Sequence, residues 1–151
     1  MTAARAALRL LLALAYLGAG ILHLRAPGGF VAITPPWVPA PYAVVMATGL
    51  CEIAGSIALL VPRLRWWAGV MLALYALCVF PANINHAVNA VPIGGVVLGP
   101  WYHIPRLMAQ PLIIWWALWA GGVTDWPFRR PGSAKPNPPA ASPVSRRRET
   151  E

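Results

Sequence analysis

The sequence predicts an all-α integral membrane protein, a four-helix bundle with both termini in the cytoplasm and a disordered basic tail. Three observations predict it. The chain is 58% hydrophobic and only 11% charged, against about 25% charged residues in a soluble domain. The charge gathers at the ends of apolar runs and in the last residues. The runs themselves have about the 17–25 residues that cross roughly 30 Å of hydrocarbon. A chain of 151 residues has room for one domain, here a four-helix transmembrane domain over 1–128 followed by a tail over 129–151.

The elements follow in order. The first run covers residues 6–24 and is interrupted only by Arg9. Its length, and the His23-Leu24-Arg25 sequence after it in place of an A-x-A cleavage site, mark it as a retained helix rather than a signal peptide. The second run, 42–61, carries Glu52 at its centre. The third is 66–88 and the fourth 107–123. Within hydrocarbon a backbone must satisfy its own polar groups, so each run is expected to be a helix. Residues 62–65 make a tight turn, which sets the second and third helices as antiparallel neighbours. The connections at 25–41 and 89–106 are longer and rich in Pro and Gly. Pro35, Pro36, Pro39 and Pro41 favour an extended, stiffened path. The tail over 129–151 is Pro-, Ser- and Arg-rich with no apolar period, which predicts disorder.

Ten of the twelve Lys and Arg residues fall on one side of these spans: Arg5, Arg9, Arg63, Arg65 and six in the tail. Arg25 and Arg106 fall on the other. Basic residues concentrate on the cytoplasmic side, so both termini are expected there. Trp66, Trp67 and Trp126 sit at the cytoplasmic boundary, and Trp37, Trp101 and Tyr102 at the outer one. Eleven of the twelve basic residues are Arg, and the chain is rich in Ala, Gly and Pro, a composition typical of GC-rich bacteria. The expected location is therefore a bacterial inner membrane, with the lipid bilayer as the surrounding partner. The net charge of +8 does not signal nucleic acid, because no basic face is interleaved with exposed aromatics. Cys51 and Cys78 form no CxxC pair, so neither a redox motif nor a metal site is indicated. They read as small core residues.

Polar residues inside the runs carry the functional signal. Glu52 lies about 15 Å from either end of its helix at 1.5 Å per residue. A charge at that depth is costly unless it is paired or neutralised. Thr48, Gly49, Gly55 and Ser56 share its face, so Glu52 is expected to point into the bundle. Tyr16, Gly20 and His23 form one stripe of the first helix. Pro81 should free the Leu77 carbonyl and kink the third, with Asn83 one turn beyond. Arg106 and Gln110 are four apart on the fourth. Glu52, His23, Asn83, His86, Arg106 and Gln110 are thus expected to converge on one polar cavity in the outer half. The competing reading makes Glu52 a bundle-stabilising residue hydrogen-bonded to Asn83 or Gln110. His23 and His86 lie near helix ends, where interfacial solvation alone accounts for them, and Arg106 has the length to snorkel.

The residues Gly20-Ile21-Leu22-His23-Leu24, the stretch FVAITPPWVPAP over 30–41, Thr48-Gly49-Leu50-Cys51-Glu52-Ile53-Ala54-Gly55, Val79-Phe80-Pro81-Ala82-Asn83-Ile84 and Arg106-Leu107 with Gln110-Pro111-Leu112 occur in this order. In this the chain resembles the DoxX family of small four-helix bacterial membrane proteins, over about residues 5 to 125. The resemblance implies a membrane component linked to quinone or thiol redox chemistry, with Glu52, His23, Asn83 and Gln110 at family-motif positions.

The expected function is therefore an accessory inner-membrane component of a quinone- or thiol-linked redox or stress system. It would hold a small molecule or lipid, a quinone among the candidates, and sit beside a membrane redox enzyme. The alternative is a non-catalytic structural or assembly partner of another membrane protein. No catalytic set is visible, and an enzyme acting alone is not expected. A reporter that fluoresces only after folding in the cytoplasm, fused after Glu151, should be bright. Alkaline phosphatase activity at that position would reverse the orientation.

Overall fold

The computed structural model describes residues 3–127, and over them the chain is all-α with five helices. Helix α1 is Ala3–Arg25, α2 is Pro27–Ile33, α3 is Pro41–Leu60, α4 is Arg65–Val88 and α5 is Pro100–Gly121. Prolines open three of them, Pro27, Pro41 and Pro100. At a first helical position the missing N–H costs nothing and the fixed φ is already helical.

Three of these helices, α1, α3 and α4, are long and apolar enough to cross a membrane. Of their most apolar windows only 28%, 28% and 33% is buried within the chain. The leucines and isoleucines of their outer faces, such as Leu11, Leu14, Leu50, Ile57 and Leu74, are exposed. A surface this apolar is suited to lipid rather than water.

Two expectations need correction. The fourth long helix begins at Pro100 rather than 107 and ends at Gly121. It runs through Pro105 and Pro111, and its polar first half, with His103, Arg106 and Gln110, leaves it short of the apolarity of the other three. The 25–41 connection is not extended throughout. Its first half forms α2, closed by the Thr34 hydroxyl donating to Phe30 O at 2.9 Å and by Asn85 Nδ2 donating to Ile33 O at 2.9 Å. The second half turns rather than extends: Val38 N donates to Pro35 O at 3.0 Å, and Ala40, just before α3, is left-handed at φ 46°. The predicted disordered tail over 129–151 lies outside the described residues.

The helices run up and down and pack chiefly as two pairs, α1 with α3 and α4 with α5. Each pair meets through glycine. A Cβ built on Gly20 would stand 2.7 Å from the Gly49 carbonyl oxygen, and one on Gly69 would stand 2.8 Å from the Gly121 Cα. Tight backbone approach of this kind is how helices associate where lipid removes the hydrophobic drive. Between the pairs lies a core of Leu12, Ala13, Tyr16, Leu59, Ala68, Leu72, Ala73, Ala117 and Ala120.

One end of the bundle is closed by arginines. Arg5 donates from Nε to the Trp119 carbonyl at 2.9 Å, and from Nη2 to the carbonyls of Trp119 and Thr124. Its Nη1 meets Asp125 at 2.6 Å. Arg9 Nε donates to Ala120 O at 2.8 Å. Arg65 reaches Leu59 O and Leu60 O at 3.3 and 3.4 Å. The last carbonyls of a helix have no partner of their own, and these guanidinium groups supply one for α5 and α3. Arg5 and Arg9, which read as flanking charges, are only 6% and 4% exposed.

Cys51 and Cys78 are free and both exposed, so they are not the core residues expected of them. Neither belongs to the buried stripe of its helix, and Cys78 borders the cavity described below.

Because Gly69 faces backbone atoms of Gly121 that cannot move aside, Gly69→Leu should lower stability by about 1–3 kcal/mol. Gly18 has nothing within 4 Å of a built Cβ, so Gly18→Ala should be neutral or raise stability, by up to about 1 kcal/mol. Thermal unfolding in detergent followed by circular dichroism measures both.

Candidate functional site

Toward the end opposite the arginines, the two helix pairs do not fill the space between them. A cavity of about 530 Å³ opens there, lined by residues of all five helices and of the 34–38 segment. Its size falls within the roughly 300–1,000 Å³ of small-molecule pockets. The wall is mostly apolar, with a few polar side chains converging on it.

Helical spacing puts them there. The buried stripe of α3 is Val45, Gly49, Glu52, Ser56 and Leu59, repeating every three or four residues. The buried stripe of α1 includes Tyr16, Gly20 and His23. Because Gly49 has no side chain, the His23 Cβ lies only 2.7 Å from where a Cβ would be, and the His23 ring is delivered to Glu52. Its Nδ1 is 3.0 Å from Glu52 Oε2.

That contact has ion-pair distance without a hydrogen bond. The same Nδ1 is 2.9 Å from the Ala19 carbonyl, and an imidazole nitrogen carries at most one proton. Aligned on Ala19, that proton leaves Oε2 buried without a hydrogen-bond partner. The other face of the His23 ring stacks on Phe30 at 3.7 Å between centroids. Tyr75 of α4 stands within polar reach of both Glu52 and Thr48.

On the opposite wall Gln110 Nε2 donates to the Ala76 carbonyl at 2.7 Å. Pro81 has no N–H for the Leu77 carbonyl, which loosens this turn of α4, and α4 stays helical through it. Arg106 Nη1 lies 2.9 Å from His86 Nδ1. Its guanidinium stands over the Tyr102 ring at 5.7 Å.

Of the six residues expected at the pocket, Glu52, His23, Asn83, Arg106 and Gln110 line the cavity. His86 does not. It is wholly buried behind Arg106, between the edges of the Tyr102 and His103 rings. The expected link from Glu52 to Asn83 or Gln110 is replaced by His23, because Gln110 is committed to a backbone carbonyl. Arg106 turns inward instead of snorkelling. Among the described residues no group of three or more His, Cys, Asp and Glu could hold a metal ion.

Sequence reasoning passed over Tyr75 and Trp116, which also line the cavity. Tyr75 lies on the stripe of Val79, Asn83 and His86 at helical spacing, a signal present in the sequence. Trp116 Nε1 is buried without a partner. Nothing in a tryptophan-rich run marks this ring apart from its neighbours.

A family model described as a domain of unknown function (DUF8561) matches residues 12–121. The chain belongs to that family. The match corrects the resemblance to the DoxX family, since every stretch quoted for that resemblance lies inside the matched region. Small residues at helix contacts and polar groups near a proline kink suit any compact bundle of this kind, so they specify an architecture rather than one family. No curated protein and no solved structure matches the chain.

The Arg106 side chain depends on His86 for its one hydrogen bond among the described residues. His86→Phe keeps the ring contacts and removes the acceptor. It should cost about 0.5–2 kcal/mol in thermal unfolding.

Proposed function

We propose that this chain, a member of a family without an assigned activity, is a membrane-embedded binding protein for a small lipid-soluble molecule with a polar head. The observation that carries the reading is Glu52, a carboxylate buried on the wall of a largely apolar cavity, whose Oε2 makes no hydrogen bond because the nearby His23 Nδ1 is aligned on the Ala19 carbonyl. A buried acceptor without a donor is unfavourable, and a hydroxyl on a bound molecule relieves it. Trp116, whose Nε1 is buried without a hydrogen-bond partner, lines the same cavity. A quinol ring fits this pattern, with one hydroxyl to give and one oxygen to receive. An accessory part of a quinone-linked membrane system is the role such a pocket would serve. Cys78, free and exposed, lines this cavity as well.

In this reading α5 is the fourth span. Its support is the close antiparallel packing of α5 on α4, from Arg106 beside His86 to Gly121 against Gly69. Twenty-two residues at 1.5 Å each also reach about 33 Å. The arginine end then faces the cytoplasm of a bacterial inner membrane and the cavity lies in the outer half, as basic residues favour the cytoplasmic side.

A second reading keeps Glu52 as a stabilising residue, favoured by its contact with His23 across the α1–α3 seam. Decylubiquinol titrated anaerobically into protein in nanodiscs separates the two. The binding reading expects saturable binding, abolished by Ala109→Trp, which fills the cavity, and weakened about tenfold, or 1.4 kcal/mol, by Glu52→Gln. Unchanged binding by Glu52→Gln, together with a lowered melting temperature, favours the stabilising role.

A further inference from the structure

The cavity wall carries a positive charge that no described residue neutralises. Arg106 lines the cavity from α5. Its two contacts are an imidazole nitrogen of His86 and the π face of Tyr102. A nitrogen that accepts from a guanidinium is unprotonated, so neither contact brings a negative charge. Among the described residues Arg5 pairs with Asp125, and His23 lies at ion-pair distance from Glu52. Glu52 faces His23 on the α1–α3 side, and no carboxylate stands at ion-pair distance from Arg106.

A guanidinium against an apolar wall without a counter-charge is unfavourable. Here it is also held in place. His86, fully buried, fixes Nη1 from behind, which leaves the remaining N–H groups of the fork to other acceptors. Asn83, three residues before His86 on α4, lines the same cavity at 7% exposure. Its amide makes no hydrogen bond among the described residues.

Building on the reading of the cavity as a binding site, we infer that Arg106 with Asn83 forms its head-group subsite and takes an oxyanion at the end of an acyl chain. The planar fork matches the paired oxygens of a carboxylate or phosphate. The Asn83 amide adds a neutral donor. Apolar wall residues such as Leu12, Val45 and Ile113 receive the chain. His86 acts as a positioning residue that keeps the fork aimed inward. A fatty-acid carboxylate and a phosphate monoester of a lipid present the same chemistry to this subsite.

The test uses the full chain in phosphatidylcholine nanodiscs with radiolabelled oleate, oleyl phosphate and oleyl alcohol, with binding to empty discs subtracted. The subsite predicts that at least one of the anionic probes binds tenfold or more tighter than the alcohol. Tighter oleate binding identifies a fatty acid, and tighter oleyl phosphate binding a lipid phosphate. Arg106→Gln should abolish the preference and leave the alcohol within twofold of wild type, while Arg106→Lys keeps part of it. Should Arg106→Gln fail to fold, Arg106→Lys and His86→Phe take its place, with a reduced preference expected in each. Equal wild-type affinities for the three probes, or a preference that survives Arg106→Gln, overturn the subsite while leaving the cavity reading intact. Alcohol binding no stronger in wild type than in Ala109→Trp overturns the cavity reading itself, and the subsite with it.

Discussion

Gly20 and Gly49 hold α1 against α3, and Gly69 and Gly121 hold α4 against α5, at separations that a Cβ on any of the four would violate. Everything else in the bundle is arranged around these two seams. In lipid the apolar faces gain little by leaving their surroundings, so close backbone packing has to supply the association. Each seam fixes the rotation of its two helices. The polar side chains one turn away then have no choice but to face inward. Glu52 is buried because Gly49 is pressed to α1, and His23 meets it because Gly49 leaves room for the ring.

Two tight pairs rather than four equivalent neighbours also explain the unfilled space. The pairs touch firmly through the Leu12, Leu59, Leu72 and Ala117 layer. Toward the histidine end the facing residues are Ala19, Ala82 and Ala109 together with polar side chains, too small or too hydrophilic to pack the gap as leucines would. On the same wall the Gln110 amide is drawn to the Ala76 carbonyl rather than filling the space. The cavity is a product of the seams and of small side chains, and its polar groups sit on rigid helices rather than on loops.

Much of this was legible because a helix repeats every 3.6 residues. The stripe through Glu52, the stripe through His23 and the pair Arg106 and Gln110 all keep their predicted faces. What escaped the sequence depends on which helix touches which. Arg5 and Arg9 look like ordinary flanking charges until the last carbonyls of α5 come within reach. His86 shares a stripe with Asn83 yet ends behind Arg106, since α5 starts early and brings Arg106 alongside it. The start of α5 was hidden because His103, Pro105 and Arg106 lower its hydropathy, and α2 because seven residues are too few to show a period. Cys51 and Cys78 are apolar enough for a core, but their rotation on the helix leaves both exposed, Cys78 at the edge of the cavity.

The arginine closure bears on how the chain is built. Arg5 and the Trp119 carbonyl it caps are 114 residues apart in sequence. During synthesis α1 enters first, and the guanidinium groups of Arg5 and Arg9 must remain hydrated at the membrane surface until α5 arrives. Contacts of such long range are made late, because the intervening chain has to be ordered before they are rewarded. Only then do α1 and α5 lock together, and the same event completes the cavity wall with Arg106 and Gln110. An interrupted chain that lacks α5 would leave Arg5, Glu52 and His23 without their enclosure, so the cavity is incomplete until α5 is in place.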